Sequence, residues 1–279
     1  MNKPKRQISN GKKKSKRSKF FSSAFRRFSS YLFWGLLTII VAVFLIFIVR
    51  TVIIPRFPAW KARHTTVEFP DGTVRGIDIS HYQDDIDWER LRHARLNGAP
   101  LSFIYVKATE GTDIIDENFN QNFYQAKKND ILRGAYHFYS PKSPASAQAK
   151  FFCKIVQLEE GDLPPVLDVE RVGDLDEEQL RREIKTWMTI VERHYGVKPV
   201  LYASYKFRQR YMQTLDFDAH PYWIAHYYVD TLSYKGKWHF WQHTDAGRVE
   251  GIKGFVDINV FNGTYDDLLS LTIKSEDEL

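Results

Sequence analysis

The chain has 279 residues, which is enough for one large domain or two small ones. Its net charge of +6 is unevenly distributed, because residues 1–30 hold eleven Lys and Arg and no acid, whereas the rest has 29 basic against 34 acidic residues. The remainder is therefore mildly acidic, which argues against a nucleic-acid-binding protein. A single cysteine, Cys153, excludes an intrachain disulfide and is expected to be a packed residue of a helix.

The N-terminal region combines a basic segment with an apolar one. Residues 1–30 are Ser-rich and basic, which predicts a disordered cytoplasmic tail that attracts anionic lipid headgroups. Residues 31–54 include nineteen consecutive residues without a charge, which predicts a transmembrane signal-anchor helix across the lipid bilayer. A cleaved signal peptide is the alternative, but the run is long and no small-x-small site follows it. We therefore expect a single-pass protein of the cell membrane, with the N-terminus cytoplasmic and the following domain extracytoplasmic.

The rest of the chain alternates between strand and helix patterns. Residues 55–74 are predicted to be a linker, 75–270 a folded domain and 271–279 a short acidic tail. Predicted strands cover 76–80, 101–107, 132–139, a run ending near 170, 198–203, 222–225, 238–243 and 255–261, and predicted helices cover 88–97, 118–129, 145–158, 176–195 and 205–214. This order predicts an α/β fold with a parallel sheet or a (β/α) barrel, closed by strands at its C-terminal end.

The segment 163–170, LPPVLDVE, carries two carboxylates at the end of a short buried strand. Residues two apart on a strand point to the same side, so Asp168 and Glu170 are expected to project together, roughly 6–7 Å apart at the backbone. Such a pair suits acid/base chemistry on a glycosidic bond. The alternative is a strand end whose acids are solvated or cap the next helix.

Polar side chains also recur where the other predicted strands end. They are Asp78, Lys107, Glu110, Tyr136, His137, His226, Tyr227, Gln242, His243 and Asp257. In a (β/α) barrel the carboxyl ends of the strands carry the active site. These residues are therefore expected to meet at one end of the fold.

Five segments in a fixed order identify a family resemblance. They are GIDISHYQDDIDW (76–88), FIYVKATEGTDIIDENFNQN (103–122), GAYHFY (134–139), PPVLDVE (164–170) and FWQHTDAGRVEGIKGFVDINVF (240–261). With them the sequence resembles the family 25 glycoside hydrolases, the N-acetylmuramidase lysozymes that cut peptidoglycan. The resemblance implies a modified (β/α) TIM-like barrel and cleavage of the β-1,4 bond between N-acetylmuramic acid and N-acetylglucosamine.

The resemblance also implies residue roles. Glu170 would be the general acid, and Asp168 would assist the anomeric centre or orient the substrate's 2-acetamido group. Asp78 and Asp257 would line the same groove, and Tyr136 would contact the sugar.

Position at strand ends adds Lys107, Gln242 and Tyr227 as candidate substrate-binding residues. A general acid needs a raised pKa, and we expect the three aspartates to supply it to Glu170 by charge repulsion. Retaining, inverting and substrate-assisted routes all remain open, because sequence spacing does not fix the carboxyl separation.

The remaining sequence features bear on cofactors, partners and alternative functions. Five histidines (His81, His137, His226, His239 and His243) form no HExxH or paired Cys/His pattern, so we expect neither a metal nor another cofactor. The expected partners are peptidoglycan glycan strands and the lipid bilayer, with no nucleic acid and the protein a monomer. The alternatives are a non-catalytic, membrane-anchored peptidoglycan-binding protein on the same fold, or a component of a secretion or division complex.

Overall fold

A computed structural model describes residues 14–53, 69–212 and 217–275, and the chain divides into two units, residues 1–57 and 58–279. In the first unit, helix α1 spans Lys14–Ile48 and continues as a π-helical turn over Val49–Ile53. The stretch Arg27–Ile53 is long and apolar enough to cross a membrane. A signal sequence near the N-terminus has the same length and composition, so the helix by itself leaves both interpretations open.

The start of α1 corrects part of the predicted tail. Residues 1–13 lie outside the described residues, but residues 14–30 are helical rather than disordered. No Gly or Pro occurs between residues 14 and 34, so nothing in the backbone stops the apolar helix from extending toward the N-terminus. The predicted linker lies mostly outside the described residues as well, and its last residue, Val74, already begins a strand. Of the predicted acidic tail, residues 276–279 are also outside.

The second unit contains ten strands and six helices within its described residues. The strands are β1 (Val74–Ile79), β2 (Arg95–Leu96), β3 (Ala99–Glu110), β4 (Ile114–Ile115), β5 (Leu132–Phe138), β6 (Val166–Asp168), β7 (Val200–Ser204), β8 (Tyr222–Ala225), β9 (Phe240–Gly247) and β10 (Val256–Phe261). The helices are α2 (Trp88–Leu91), α3 (Phe119–Lys128), α4 (Ala145–Ile155), α5 (Glu177–Tyr195), α6 (Tyr205–Tyr211) and α7 (Tyr265–Ser270).

Eight of these strands close into a barrel. The order is β1-β10-β9-β8-β7-β6-β5-β3, and β3 pairs back onto β1. Seven strands run parallel, while β10 is antiparallel to both of its neighbours. The described loops 226–239 and 248–255, which join β8 to β9 and β9 to β10, contain no helix. The barrel therefore departs from the regular eightfold (β/α) repeat at its C-terminal end, where the sequence predicted strand-rich closure.

Side chains alternate between the barrel interior and the outer layer of helices. On β3, Phe103 and Tyr105 belong to the inner cluster, whereas Ile104 belongs to the outer one. Glycines on both neighbouring strands make room for these rings, since a Cβ at Gly76 would lie 2.4 Å from the Phe103 ring and one at Gly134 would lie 2.3 Å from that of Tyr105. Aromatic packing thus fills the barrel and leaves polar residues at the carboxyl end of the strands.

Helix α5 follows the loop that leaves β6. Asp176 caps its N-terminus in a capping box with Gln179, and Gly196 ends it with a φ of 69°. Its buried face, Leu180, Ile184, Trp187, Met188 and Val191, has helical spacing. The predicted helix over 176–195 is confirmed. Its capped N-terminus is the end point of the loop that follows Asp168.

The predicted helix over 88–97 is wrong in its second half. Helix α2 ends at Leu91, and β2 then pairs with the start of β3. Asn97 and Gly98 both have positive φ, 49° and 82°, which is the two-residue turn that joins such hairpins. The Asn-Gly pair was the sequence signal for this hairpin, and the helical apolar spacing obscured it.

Candidate active site

An open cleft of about 760 Å³ lies at the carboxyl end of the parallel strands. All eight predicted site residues line it: Asp78, Lys107, Tyr136, Asp168, Glu170, Tyr227, Gln242 and Asp257. Because β10 runs against the other strands, its beginning reaches this end and brings Asp257 with it. These eight residues therefore lie together at one end of the barrel. Four further strand-end residues were expected to join them but do not line the cleft: Glu110, His137, His226 and His243.

Asp168 and Glu170 enter the cleft from the same wall. Val169 between them is fully buried in the outer core, as alternation requires. The extended backbone continues past β6, because Val169 N donates to Tyr202 O over 3.0 Å and Tyr139 N donates to Asp168 O over 2.8 Å. Asp168 is buried, and its Oδ1 has no hydrogen-bond partner among the described residues. Glu170 is exposed at the mouth of the cleft.

Asp78 and Asp257 form a second acidic pair. They are direct neighbours across the β1–β10 pairing, and their carboxyl groups lie within hydrogen-bonding reach of each other. Asp78 Oδ2 also accepts hydrogen bonds from Gln242 Nε2 at 2.8 Å and Asn259 Nδ2 at 2.7 Å. These amide donors favour the ionised form of Asp78. We therefore expect the two carboxyl groups to hold one proton between them, and this proton to reside on Asp257.

Two tyrosines extend this network toward Glu170. The hydroxyls of Tyr202 and Tyr227 both donate to Gln242 Oε1, at 2.7 and 2.6 Å. Tyr202 OH also lies 3.5 Å from Glu170 Oε1. Tyr202 was not predicted from the sequence, although its place two residues after the inward-facing Val200 of β7 was a usable signal. A continuous chain of hydrogen bonds therefore links Asp78 to Tyr202 beside the exposed acid.

Burial governs the proton affinities of the acids. It raises the pKa of Asp168 well above its usual value, and repulsion from Glu170 and Asp78 adds to this rise. The pKa of Asp257 is raised by burial and then by Asp78, and the pKa of Asp78 is raised by burial. All four carboxylic acids thus hold their protons more tightly than in water.

The cause predicted for Glu170 is wrong. Its pKa is raised, but burial is the main cause, while Arg171, the hydroxyl of Tyr202 and Lys107 act in the opposite direction. Repulsion adds to the raised pKa of Asp168 and of Asp257, and for both of them burial is the larger cause. Because Glu170 is exposed at the mouth, the effect of burial on it is weaker than on Asp168.

Lys107 is the cation of the cleft wall. Its Nζ donates to Glu110 Oε2 at 2.7 Å, and its charge lowers the pKa of both Asp168 and Glu170. Tyr136, on the neighbouring strand β5, has a pKa raised well above its usual value by burial and then by Asp78, so it stays a neutral hydroxyl. Among the residues that the structure describes, the cleft therefore combines one lining cation with neutral donors around four acids.

The sequence matches the model of the family described as Glycosyl hydrolases family 25 over residues 77–252, well over half of the chain. The chain belongs to this family. It is also 34% identical over 213 residues to Lysozyme M1 of Streptomyces globisporus, covering 71% of each chain. Protein YegX of Escherichia coli K12 is 44% identical over 197 residues, covering 70% of this chain and 72% of YegX.

A solved structure has the same fold. The bacterial lysozyme of Streptomyces coelicolor superposes with a TM-score of 0.65 at 33% identity, covering 73% of this chain and 98% of the lysozyme. The family match and these relatives make the protein a glycoside hydrolase. The matched region includes Asp78, Asp168 and Glu170 but ends before Asp257.

None of the five candidate histidines of this glycoside hydrolase lines the cleft. His137 bonds Thr109 and Gln148 on the helix side of β5, and burial lowers its pKa to about 4. His243 lies on the outer side of β9 beside Phe69, and burial also lowers its pKa to about 4. Among the described residues, no three His, Cys, Asp or Glu side chains are placed to share a metal ion.

The aromatic residues around β8 and β9 of the enzyme divide between the cleft and the outer core. Trp223 and Tyr227 line it, whereas Trp238 and Trp241 pack in the outer cluster. Tyr82, an exposed aromatic residue that follows β1 and lines the cleft, was not predicted from the sequence. Its position in a motif, between polar residues, gave no periodic signal of its exposure.

Proposed function

We propose that the protein is a muramidase that hydrolyses the β-1,4 bond between N-acetylmuramic acid and N-acetylglucosamine in peptidoglycan. The observation that carries this proposal is the meeting of four carboxyl groups in one open cleft, in environments that differ in exposure and partners. Relatives named lysozyme and N,O-diacetylmuramidase support the substrate. An open cleft, rather than a closed pocket, also suits a polymeric glycan.

Glu170 is the proposed general acid. Its place at the mouth allows contact with a glycosidic oxygen, and partial burial raises its pKa, which favours the protonated form that a general acid needs. The hydroxyl of Tyr202 lies 3.5 Å from Glu170 Oε1, and its single proton is proposed to turn from Gln242 Oε1, which Tyr227 also binds, to the carboxylate that remains after proton transfer to the leaving oxygen.

Asp168 is proposed to act at the anomeric centre or to orient the 2-acetamido group. Its Oδ1 has no partner among the described residues, so it is free to bind a substrate atom. Burial destabilises the charge of its carboxylate, and the positive charge that develops at the anomeric carbon offsets this cost. The stabilisation is therefore larger in the transition state than in the ground state.

Asp78 and Asp257 are proposed to complete the cleft with their shared proton. Gln242, held by two tyrosine hydroxyls and bonded to Asp78, fixes the position of this pair. Tyr136 and Lys107 are proposed to bind sugar hydroxyl or acetamido groups, since both line the wall beside Asp168.

The test is incubation of the full chain, purified in detergent, with peptidoglycan. New reducing ends at N-acetylmuramic acid are expected. Reducing ends at N-acetylglucosamine, or no new ends at all, would overturn the assignment. The anomer released first, followed by NMR, distinguishes retention from inversion.

We also propose that residues 31–54 tether the enzyme to the cell membrane, with the basic N-terminus in the cytoplasm and the barrel on the wall side. The apolar helix Arg27–Ile53 and the eleven cations of residues 1–30 support this topology. Tethering would restrict hydrolysis to glycan near the membrane. A monomeric state stays a prediction, which light scattering of the detergent-purified chain can test.

A further inference from the structure

Tyr82 is an aromatic residue of the cleft that faces solvent. Its relative exposure is 80%, although it lines the same cleft as the four acids. The other aromatic residues of the cleft are largely buried or hydrogen-bonded within the wall, as are Trp223 and Tyr202. An exposed ring beside a binding cleft offers an apolar face that the protein itself leaves uncovered.

The ring is supported from one side by its neighbour. The His81 ring packs against Tyr82 with the ring centroids 4.1 Å apart and the planes tilted by 37°. Asp116, whose side chain is fully buried, in turn accepts from the His81 backbone N at 3.0 Å and lies 2.8 Å from His81 Nδ1. The support of the exposed ring is therefore anchored to the protein interior.

The short loop that carries the ring is fixed as well. Ser80 caps the single 3₁₀ turn His81–Gln83 in a reciprocal capping box with Gln83. Gln83 Nε2 also donates to Phe255 O at 3.1 Å, which joins this loop to the one before β10. A ring held in place before binding loses little conformational entropy when a ligand covers it.

The strand order places this ring away from Glu170. Tyr82 follows β1 and Glu170 follows β6, and the shorter way round the barrel from β1 to β6 passes through β3 and β5. Three strand spacings correspond to about 14 Å along the wall. A sugar stacked on Tyr82 is thus a different ring from the one whose glycosidic oxygen Glu170 can reach.

We propose that Tyr82 is the stacking platform of a distal sugar subsite, which binds the apolar face of a pyranose ring of the glycan strand at least one sugar away from the cleaved bond. The identity of the glycan rests on the proposed function. The subsite would act on binding of long strands rather than on the chemical step.

The experiment measures kcat and KM of the full chain in detergent on peptidoglycan glycan fragments of increasing length. Tyr82→Ala is expected to raise KM for long fragments about tenfold, as expected for loss of one aromatic contact, with kcat nearly unchanged. The shortest fragment that is cleaved should show little effect. Tyr82→Phe keeps the ring and is expected to behave like the wild type.

Tyr124→Ala is the matched control, because Tyr124 is an exposed tyrosine of α3 that does not line the cleft. It should leave KM unchanged at every length. An equal effect of Tyr82→Ala on short and long fragments, or none, would overturn the subsite while the muramidase assignment stands.

If the wild type cleaves nothing, a binding measurement distinguishes the Tyr82 subsite from the muramidase activity. Calorimetry of the Glu170→Gln variant with long fragments, with and without Tyr82→Ala, then reports on the platform alone. Tyr82-dependent binding without cleavage would support the subsite and reject the muramidase. Absence of binding would reject both.

Discussion

Asp78 and Asp257 lie side by side across the antiparallel pairing of β1 with β10, with their carboxyl groups within hydrogen-bonding reach. Burial raises the pKa of both, and each charge disfavours the other. Two amide groups donate to Asp78, whereas the proton is expected on Asp257. With the pKa of Asp78 raised to about 6 and that of Asp257 to about 9, the pair is expected to carry one negative charge near pH 7, where two isolated aspartates would carry two.

The pair makes stability depend on pH. A carboxyl whose folded-state pKa is raised binds its proton more tightly in the native than in the unfolded protein, so its contribution is present below the unfolded pKa near 4 and is lost as pH rises through the folded pKa. An asparagine at this position does not titrate, so the Asp257→Asn variant does not lose this stability as pH rises. We expect its melting temperature relative to wild type to increase from pH 4 to pH 8, by on the order of 5 °C.

Calorimetry of the full chain in detergent across this pH range provides the measurement. Asp230→Asn, at an exposed position, serves as control and should show a difference that does not vary with pH. A flat difference for Asp257→Asn would show that the pair holds no extra proton.

Removal of the general acid should abolish turnover. Glu170→Gln keeps the shape of the side chain but has no proton to donate at neutral pH, so kcat is expected to fall by about 10²- to 10⁴-fold. Glu250→Gln, at an exposed position outside the cleft, should retain full activity. Both variants should unfold at the wild-type temperature, and activity of Glu170→Gln within tenfold of wild type would remove Glu170 from this role.

Lys107 should influence the alkaline limit of activity. After Arg171 and the Tyr202 hydroxyl, its charge lowers the pKa of Glu170, so Lys107→Met is expected to raise that pKa and shift the alkaline limb of the kcat/KM profile to higher pH. A surface lysine paired with Glu159, Lys127, provides the control, since Lys127→Met leaves the cleft unchanged. A shift to lower pH would assign the limb to a different group.

The apolar helix should hold the protein in the membrane. The full chain is expected to stay with membranes after alkaline extraction, whereas two arginines in the apolar run, Leu36→Arg with Ile40→Arg, should weaken insertion by about 2.5–3.5 kcal/mol each. Conservative Leu36→Ile with Ile40→Leu should remain inserted. Recovery of a shortened, released protein from wild-type cells would establish a cleaved signal peptide instead.

Much of this protein follows from sequence periodicity alone. The spacing of Asp168 and Glu170 about a buried Val169 predicts that both acids face one side, and the caps of α5 predict where the loop after them ends. Alternating strands and helices predict that polar strand ends gather at one end of a barrel. These properties are local or repeat along the chain, so the sequence alone determines them.

Tertiary structure decided which residues meet. Gln242 binds Asp78 across 164 residues of sequence, Tyr202 joins that network, and Tyr82 stands exposed on a buried support. It also decided that burial, rather than three neighbouring aspartates, raises the pKa of Glu170. Periodicity predicts the side of a strand on which a residue lies. Only closure of the barrel determines which side chains lie opposite that residue and how far it is buried from water.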